Sequence, residues 1–323
     1  MLITGAVACS NDEGSEPTPI VKNVYVAGYE YVSNGVAKLW KDGKVTDLTD
    51  GKFNARAAAV YINNNDIYVV GSQLETGDIN VAKLWKNGIV SNVSGSNNPT
   101  DAYSVFVNDN NIYVAGTEEF GVTEVATLWK NGHANNLTTT NIVGAARDVF
   151  CSDKNEYVAG YIRKGNKSIA RLWKNGSGTD LTNGSFNATA YAVYVRGTDV
   201  YVAGQEENNN EDGIAKLWKN GVATTLSKKE SWALAVLATS DAVYVAGIED
   251  GAATLWKNGV PVRLSKNDNG GAAYSIFVDG TDVYVTGYEN IGGSQKAVVW
   301  KNGIATILSN SPNASRGLEV FVK

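Results

Sequence analysis

The chain has 323 residues, a formal net charge of −5, 43% apolar residues and only 19% charged ones. The acidic balance excludes nucleic acid as the main partner, because phosphate binding calls for a basic patch or stripe. No run of eighteen apolar residues exists, so no helical membrane span is expected. The 34 Gly, 8 Trp and 16 Tyr mark a turn-rich β composition and not a disordered one. With a single histidine, His133, neither a His-based metal site nor a Ser-His-Asp triad can be built. No metal and no cofactor are expected. His133 follows a hairpin turn and reads as an exposed loop residue.

Residues 1–9 (Met-Leu-Ile-Thr-Gly-Ala-Val-Ala-Cys) are small and apolar, and residues 10–19 turn at once to Ser, Asn, Asp, Glu, Thr and Pro. The second stretch has the composition of a flexible tether, so 1–21 is set apart from a single folded unit over 22–323. Small residues before a cysteine, followed by an acidic tether, resemble the lipobox and mature start of a bacterial surface lipoprotein of the Bacteroidota type. That resemblance implies that Cys9 is acylated, with more than one chain for stable anchoring at the outer membrane or cell surface. Only eight residues precede Cys9 and none is basic, so the segment is expected to be the remnant of a longer signal peptide. The alternative is a flexible N-terminus with an incidental cysteine.

From residue 24 onward the chain repeats. Tryptophans fall at 40, 85, 129, 173, 218, 256 and 300, each in a version of Ala-Lys-Leu-Trp-Lys-Asn-Gly, at spacings of 38 to 45 residues. A period near this length signals a propeller or a solenoid. Each unit reads as four short strands: an inner one ending in an apolar triplet such as Val60-Tyr61-Ile62, a second one around Val24-Tyr25-Val26-Ala27-Gly28, a third carrying the Trp, and a polar outer edge such as Lys44–Asp47. Cys151 falls where other units hold Ile62, Val107, Val195 and Val278, and is read as a small buried hydrophobe. Asn-Gly joins the third and fourth strands in six units and Asp42-Gly43 does so in the first, the pairs that best suit a type I′ turn. These hairpins and the short loops after the inner strands share one face. The loops that vary in length and sequence share the other.

The two ends of the array are complementary. The first unit lacks an inner strand, and residues 316–322 form a lone inner-strand motif. Pairing the termini removes exposed edges, which a ring needs and a solenoid does not. The expected fold is an all-β, seven-bladed β-propeller of four-stranded antiparallel blades, its N-terminal blade (22–50) completed by residues 316–322. The combination Leu-Trp-Lys-Asn-Gly, Ala-Tyr-Ser-Val-Phe-Val and Ile-Tyr-Val-Ala-Gly resembles the HAF-type extracellular repeats of bacteria over 22–323. The resemblance implies a propeller outside the cytoplasm and transfers no catalytic residue.

The seven Trp and seven Tyr read as inter-blade core, so function is sought where one unit departs from the rest. Inner strands carry Ala at 57, 102, 146, 190, 233 and 273, and against that background stand Arg56, Asp101, Arg147, Asp148, Trp232, Arg316 and Glu319. Tyr103, Tyr191 and Tyr274 share the position of Arg147. All are expected to ring the channel mouth on the variable face, where Arg with aromatic rings suits an anionic or sugar-like ligand. The competing reading is mutual neutralisation, with Arg147 or Arg316 paired to Asp148 or Glu319 as a plug. Tyr244 to Trp256 spans 12 residues against 15 to 17 elsewhere, which places a notch beside Trp232. The loops after the second strands are acidic (Glu30, Glu75, Glu118, Glu289 among them), broken by Arg163, Lys164 and Lys167, and read as surface solvation. Lys266-Asn267-Asp268-Asn269-Gly270 is too weak a pattern for a calcium loop.

The leading reading is a monomeric, non-catalytic cell-surface propeller that binds a glycan or protein partner through the variable face. An enzyme is the second: a glycosidase or lyase would need two carboxylates about 5–10 Å apart, for which Asp101, Asp148 and Glu319 are candidates. A structural envelope protein is the third.

Overall fold

The computed structural model describes residues 22–266 and 270–323. Cys9, the tether and residues 267–269 lie outside the described residues. Seven four-stranded antiparallel sheets form the blades. In six of them the strands follow chain order from inner to outer, as in Ala55–Asn63, Asp66–Glu75, Ile79–Lys86 and Ile89–Asn92 of blade two. Blade one instead takes Ser315–Val322 as its inner strand, beside Val24–Tyr31, Gly35–Lys41 and Lys44–Asp47. Val24 faces Val322 and Glu30 faces Ser315. The seam is sealed by Asn23 N–H donating to the Lys323 carbonyl at 2.6 Å and Lys323 N–H donating back at 3.0 Å.

One Tyr and one Trp recur in the apolar cluster between every two neighbouring blades. The Tyr of a second strand and the Trp of the following blade share a core cluster, from Tyr25 with Trp85 through to Tyr284 with Trp40 across the seam. None of the seven Trp is more than 1% exposed, so each large ring is removed from water. The Lys after each Trp lies over the Tyr of its own blade at 4.9–5.5 Å from the ring centroid. Cys151 sits in the core between blades three and four, and burial pushes its thiol up to about 12.

The Asn-Gly turns have φ > 0 at both central residues, as at Asn87 (53°) and Gly88 (82°). The turn residue does more than tolerate this conformation. Asn87 Oδ1 accepts from the Ile67 N–H at 2.9 Å, and Asp42 or Asn does the same in the other six blades. The outer hairpin is thereby clipped to the second strand. His133 is the exposed first residue of the outer strand His133–Asn136.

All seven inner strands carry a β-bulge at one register, with Ala58, Tyr103, Arg147, Tyr191, Leu234, Tyr274 and Leu318 left without a partner across the ladder. A bulge resets the alternation of side chains. The bulged residue and the one after it therefore both reach the channel.

Candidate functional site

The bulges divide the channel-lining side chains into levels. Nearest the variable face, a cavity of about 390 Å³ opens among blades seven, one, two and three, lined by Arg56, Arg316, Asp101, Tyr29, Tyr31 and Tyr274 among others. Arg56 pairs with Asp101 of the next blade at 3.0 Å, and Ser72 Oγ donates to the same carboxylate oxygen at 2.6 Å. Arg316 donates from Nε to Gln295 Oε1 at 2.7 Å and lies 5.0 Å from the Tyr288 ring centroid. Burial pushes the Tyr274 phenol up to about 12, against the opposing charge of Arg316.

One level deeper, the bulged residues narrow the channel to a space of about 120 Å³ between Tyr103, Arg147, Tyr191, Leu234, Tyr274 and Leu318. The Arg147 guanidinium lies 4.5 Å from the Tyr103 centroid and 5.7 Å from that of Tyr161. Its Nε is buried without a hydrogen-bond partner. Desolvation raises the Tyr103 and Tyr191 phenols, more than nearby arginines lower them.

Asp148 and Glu319 occupy the position after the bulge; they line this mid-channel space with Tyr103, Arg147, Tyr191 and Tyr274, and also the cavity below it, but not the variable-face cavity where they were expected. The expected neutralising pairs do not form: Arg147 stacks on tyrosine, Arg316 bonds Gln295, and the arginine–carboxylate pair of the ring is Arg56 with Asp101. Asp148 accepts from Ser104 Oγ at 2.6 Å, Val149 N at 2.9 Å and Val193 N at 2.8 Å. Burial nevertheless raises its carboxyl to about 6. Glu319 accepts from Val60 N at 3.2 Å. Its carboxyl is held well above the usual range by burial and then by the charge of Asp148.

Below the carboxylates a cavity of about 560 Å³ opens toward the hairpin face. It is collared by Tyr61, Phe106, Phe150, Tyr194, Phe277 and Phe321, whose neighbouring rings lie 4.9–5.0 Å apart in all but the stretch where blade six has Leu237. In the sequence these residues stand out only as the centres of apolar triplets. The available signal was the triplet itself: in an alternating strand its flanking residues face the blade cores, so the middle residue faces elsewhere.

Trp232 is partly buried in blade six, its Nε1 edge beside Gly213, and lines none of these three spaces. Blade six is cut back there, with Val243–Glu249 and Ala252–Lys257 shorter than Asp66–Glu75 and Ile79–Lys86. Three of the acidic loop residues are buried and not surface charges. Glu30 meets Lys38 at 3.6 Å, Glu118 accepts from Asn98 Nδ2 at 3.1 Å, and Glu289 from Trp300 Nε1 at 3.3 Å.

Fold and site together define a closed seven-bladed β-propeller whose channel is narrowed at mid-depth, polar toward the variable face and aromatic toward the hairpin face. Among solved structures, the chain is similar to the Pyrococcus horikoshii acylaminoacyl peptidase (TM-score 0.56, 13% identity, 90% of this chain and 50% of that one). It is also similar to a Mycobacterium tuberculosis puromycin-hydrolyzing peptidase (TM-score 0.54, 11% identity, 90% and 53%). The chain spans about half the length of each, and at these identities the likeness carries the fold alone. No protein-family model matches the sequence, and neither does any curated protein.

Proposed function

We propose that this protein is a non-catalytic binding module of the bacterial cell surface that takes an acidic glycan at the variable-face cavity. The observation that supports this reading is the charge of that cavity. Arg56 and Arg316 line it with three tyrosines, Arg147 lies one level deeper, and Asp101 is the one carboxylate in the lining. Guanidinium groups recognise carboxylates with directed hydrogen bonds, tyrosine faces pack against sugar rings, and the volume lies within the usual range of about 300–1,000 Å³ for small-molecule sites. The resemblance to HAF-type extracellular repeats and to a lipobox at Cys9 supports the location.

The test is a glycan array probed with the full chain carrying Cys9→Ala, repeated with Arg56→Gln and Arg316→Gln. Binding of uronic-acid or sialic-acid glycans that both substitutions weaken supports the proposal; equal binding of neutral glycans overturns it. Labelling of the wild-type chain, but not Cys9→Ala, by an alkyne fatty acid in cells tests the anchor.

The carboxyls of Asp148 and Glu319, raised by burial, favour the glycosidase or lyase alternative. Against it, both Asp148 oxygens are occupied by backbone N–H groups. Release of reducing ends or unsaturated sugars from a bound glycan, lost in Asp148→Asn, would establish the enzyme.

A further inference from the structure

The position after the inner-strand bulge holds Ala or Ser in five blades (Ala59, Ser104, Ala192, Ala235, Ser275) and a carboxylate in blades one and four. Where the residue is polar, its side chain accepts from a backbone N–H of the next blade's inner strand, as Glu319 does from Val60 and Asp148 from Val193. Serine performs that task as well: Ser104 accepts from Val149 at 3.4 Å and Ser275 from Val320 at 3.3 Å. The capping role therefore does not require a charge.

Neither carboxylate has an ion-pair partner among the described residues, for the nearby Arg147 is turned toward Tyr103 and Tyr161. Ionising both acids in one channel with no counter-charge is unfavourable, and a cation held there would relieve it. Directly below them lies the 560 Å³ cavity, with Ala192, Ala235 and Leu237 in its lining and a collar of aromatic rings. Aromatic faces attract organic cations, and apolar walls accept the hydrocarbon that carries the charge. A divalent metal suits the site less, since no group of three or more metal-type side chains converges among the described residues.

We propose that the hairpin-face end of the channel binds an organic ammonium ion, its charged head between Asp148 and Glu319 and its hydrocarbon body within the aromatic collar. This site is separate from the variable-face cavity and takes a ligand of the opposite charge.

Calorimetric titration of the full chain with n-pentylamine and n-pentyltrimethylammonium tests it, with 1-pentanol and Mg²⁺ as controls. Saturable binding of the ammonium compounds and none of the alcohol is expected. The double variant Asp148→Ser, Glu319→Ser uses the residue found at this position in blades three and seven, and its folding is checked by circular dichroism. It should bind at least about tenfold more weakly, the loss of a charge-assisted contact. Phe150→Leu, the residue type of blade six, should weaken the quaternary ion by about threefold. No saturable heat at millimolar ligand, undiminished affinity in the double variant, equal binding of pentanol, or displacement by equimolar Mg²⁺ would each overturn the proposal.

Discussion

The backbone of Gly116 is pressed against Asp101: a Cβ at Gly116 would stand 1.8 Å from the Asp101 carbonyl oxygen. Gly71 stands in the same relation to Arg56, at 1.9 Å, and the matching glycine of every other blade repeats it. This close approach accommodates the bulge that aims Tyr103 and Arg147 into the channel. Gly71→Ala or Gly116→Ala should therefore cost at least about 3 kcal/mol, at the upper end of overpacking effects. Urea denaturation of the variants measures it, with the exposed strand alanine Ala134 changed to Val as a comparison.

Stability should fall as pH rises from about 4 to 6. The folded state raises the Asp148 carboxyl from 3.8 to about 6, so it holds this proton more tightly than the unfolded chain does. The resulting stability is complete below about pH 4 and is lost as pH passes through about 6, a span worth up to roughly 3 kcal/mol. Glu319, also raised, acts in the same direction. The lysine-paired Asp66, Asp199 and Asp282 are lowered and work the opposite way, but only below about pH 4. Thermal midpoints across pH 4–8 should decline for the wild type and flatten in Asp148→Ser.

Cys151 should be silent to thiol reagents. Its thiol is pushed up to about 12 by burial, so almost no thiolate exists at pH 8. In a Cys9→Ser background, Ellman's reagent should react only after unfolding in guanidinium. Cys151→Val should leave the unfolding midpoint within about 1 kcal/mol of wild type, as a volume-conserving change does.

The ring should depend on its last strand. Val320 is 2% exposed and shares a cluster with Trp40 and Tyr284 at the seam between blades seven and one. Val320→Asp would bury an unpaired charge there and cost about 3–5 kcal/mol. Removal of residues 314–323 would leave Val24–Tyr31 with a free edge and should give an aggregating product on size-exclusion chromatography. Adding that segment as a peptide should restore the elution volume of the intact chain.

The blades were legible because their determinants are local. Period-two apolar patterns, a Trp every 38 to 45 residues and Asn-Gly at one register each act within a few residues of chain. The complementary ends made closure readable as well, and Ser315–Val322 pairs with Val24–Tyr31 as the motif implies. The candidate ring was legible only as a set of exceptions. Arg56, Asp101 and Arg316 do meet in one cavity, Tyr103, Arg147, Asp148, Tyr191 and Glu319 meet deeper in the channel, and Trp232 stays apart.

Strands, turns, the seven blades and the ring were all written into the chain, since each follows from periodicity and turn chemistry along it. Tertiary structure alone decided which charges meet. A bulge held open by a glycine on the neighbouring strand shifts the side-chain register by one residue, and that shift assigns Arg147 and Asp148, adjacent in the chain, to different levels of the channel. The partners of those residues come from blades about 45 residues away, so the ring geometry sets their pairing.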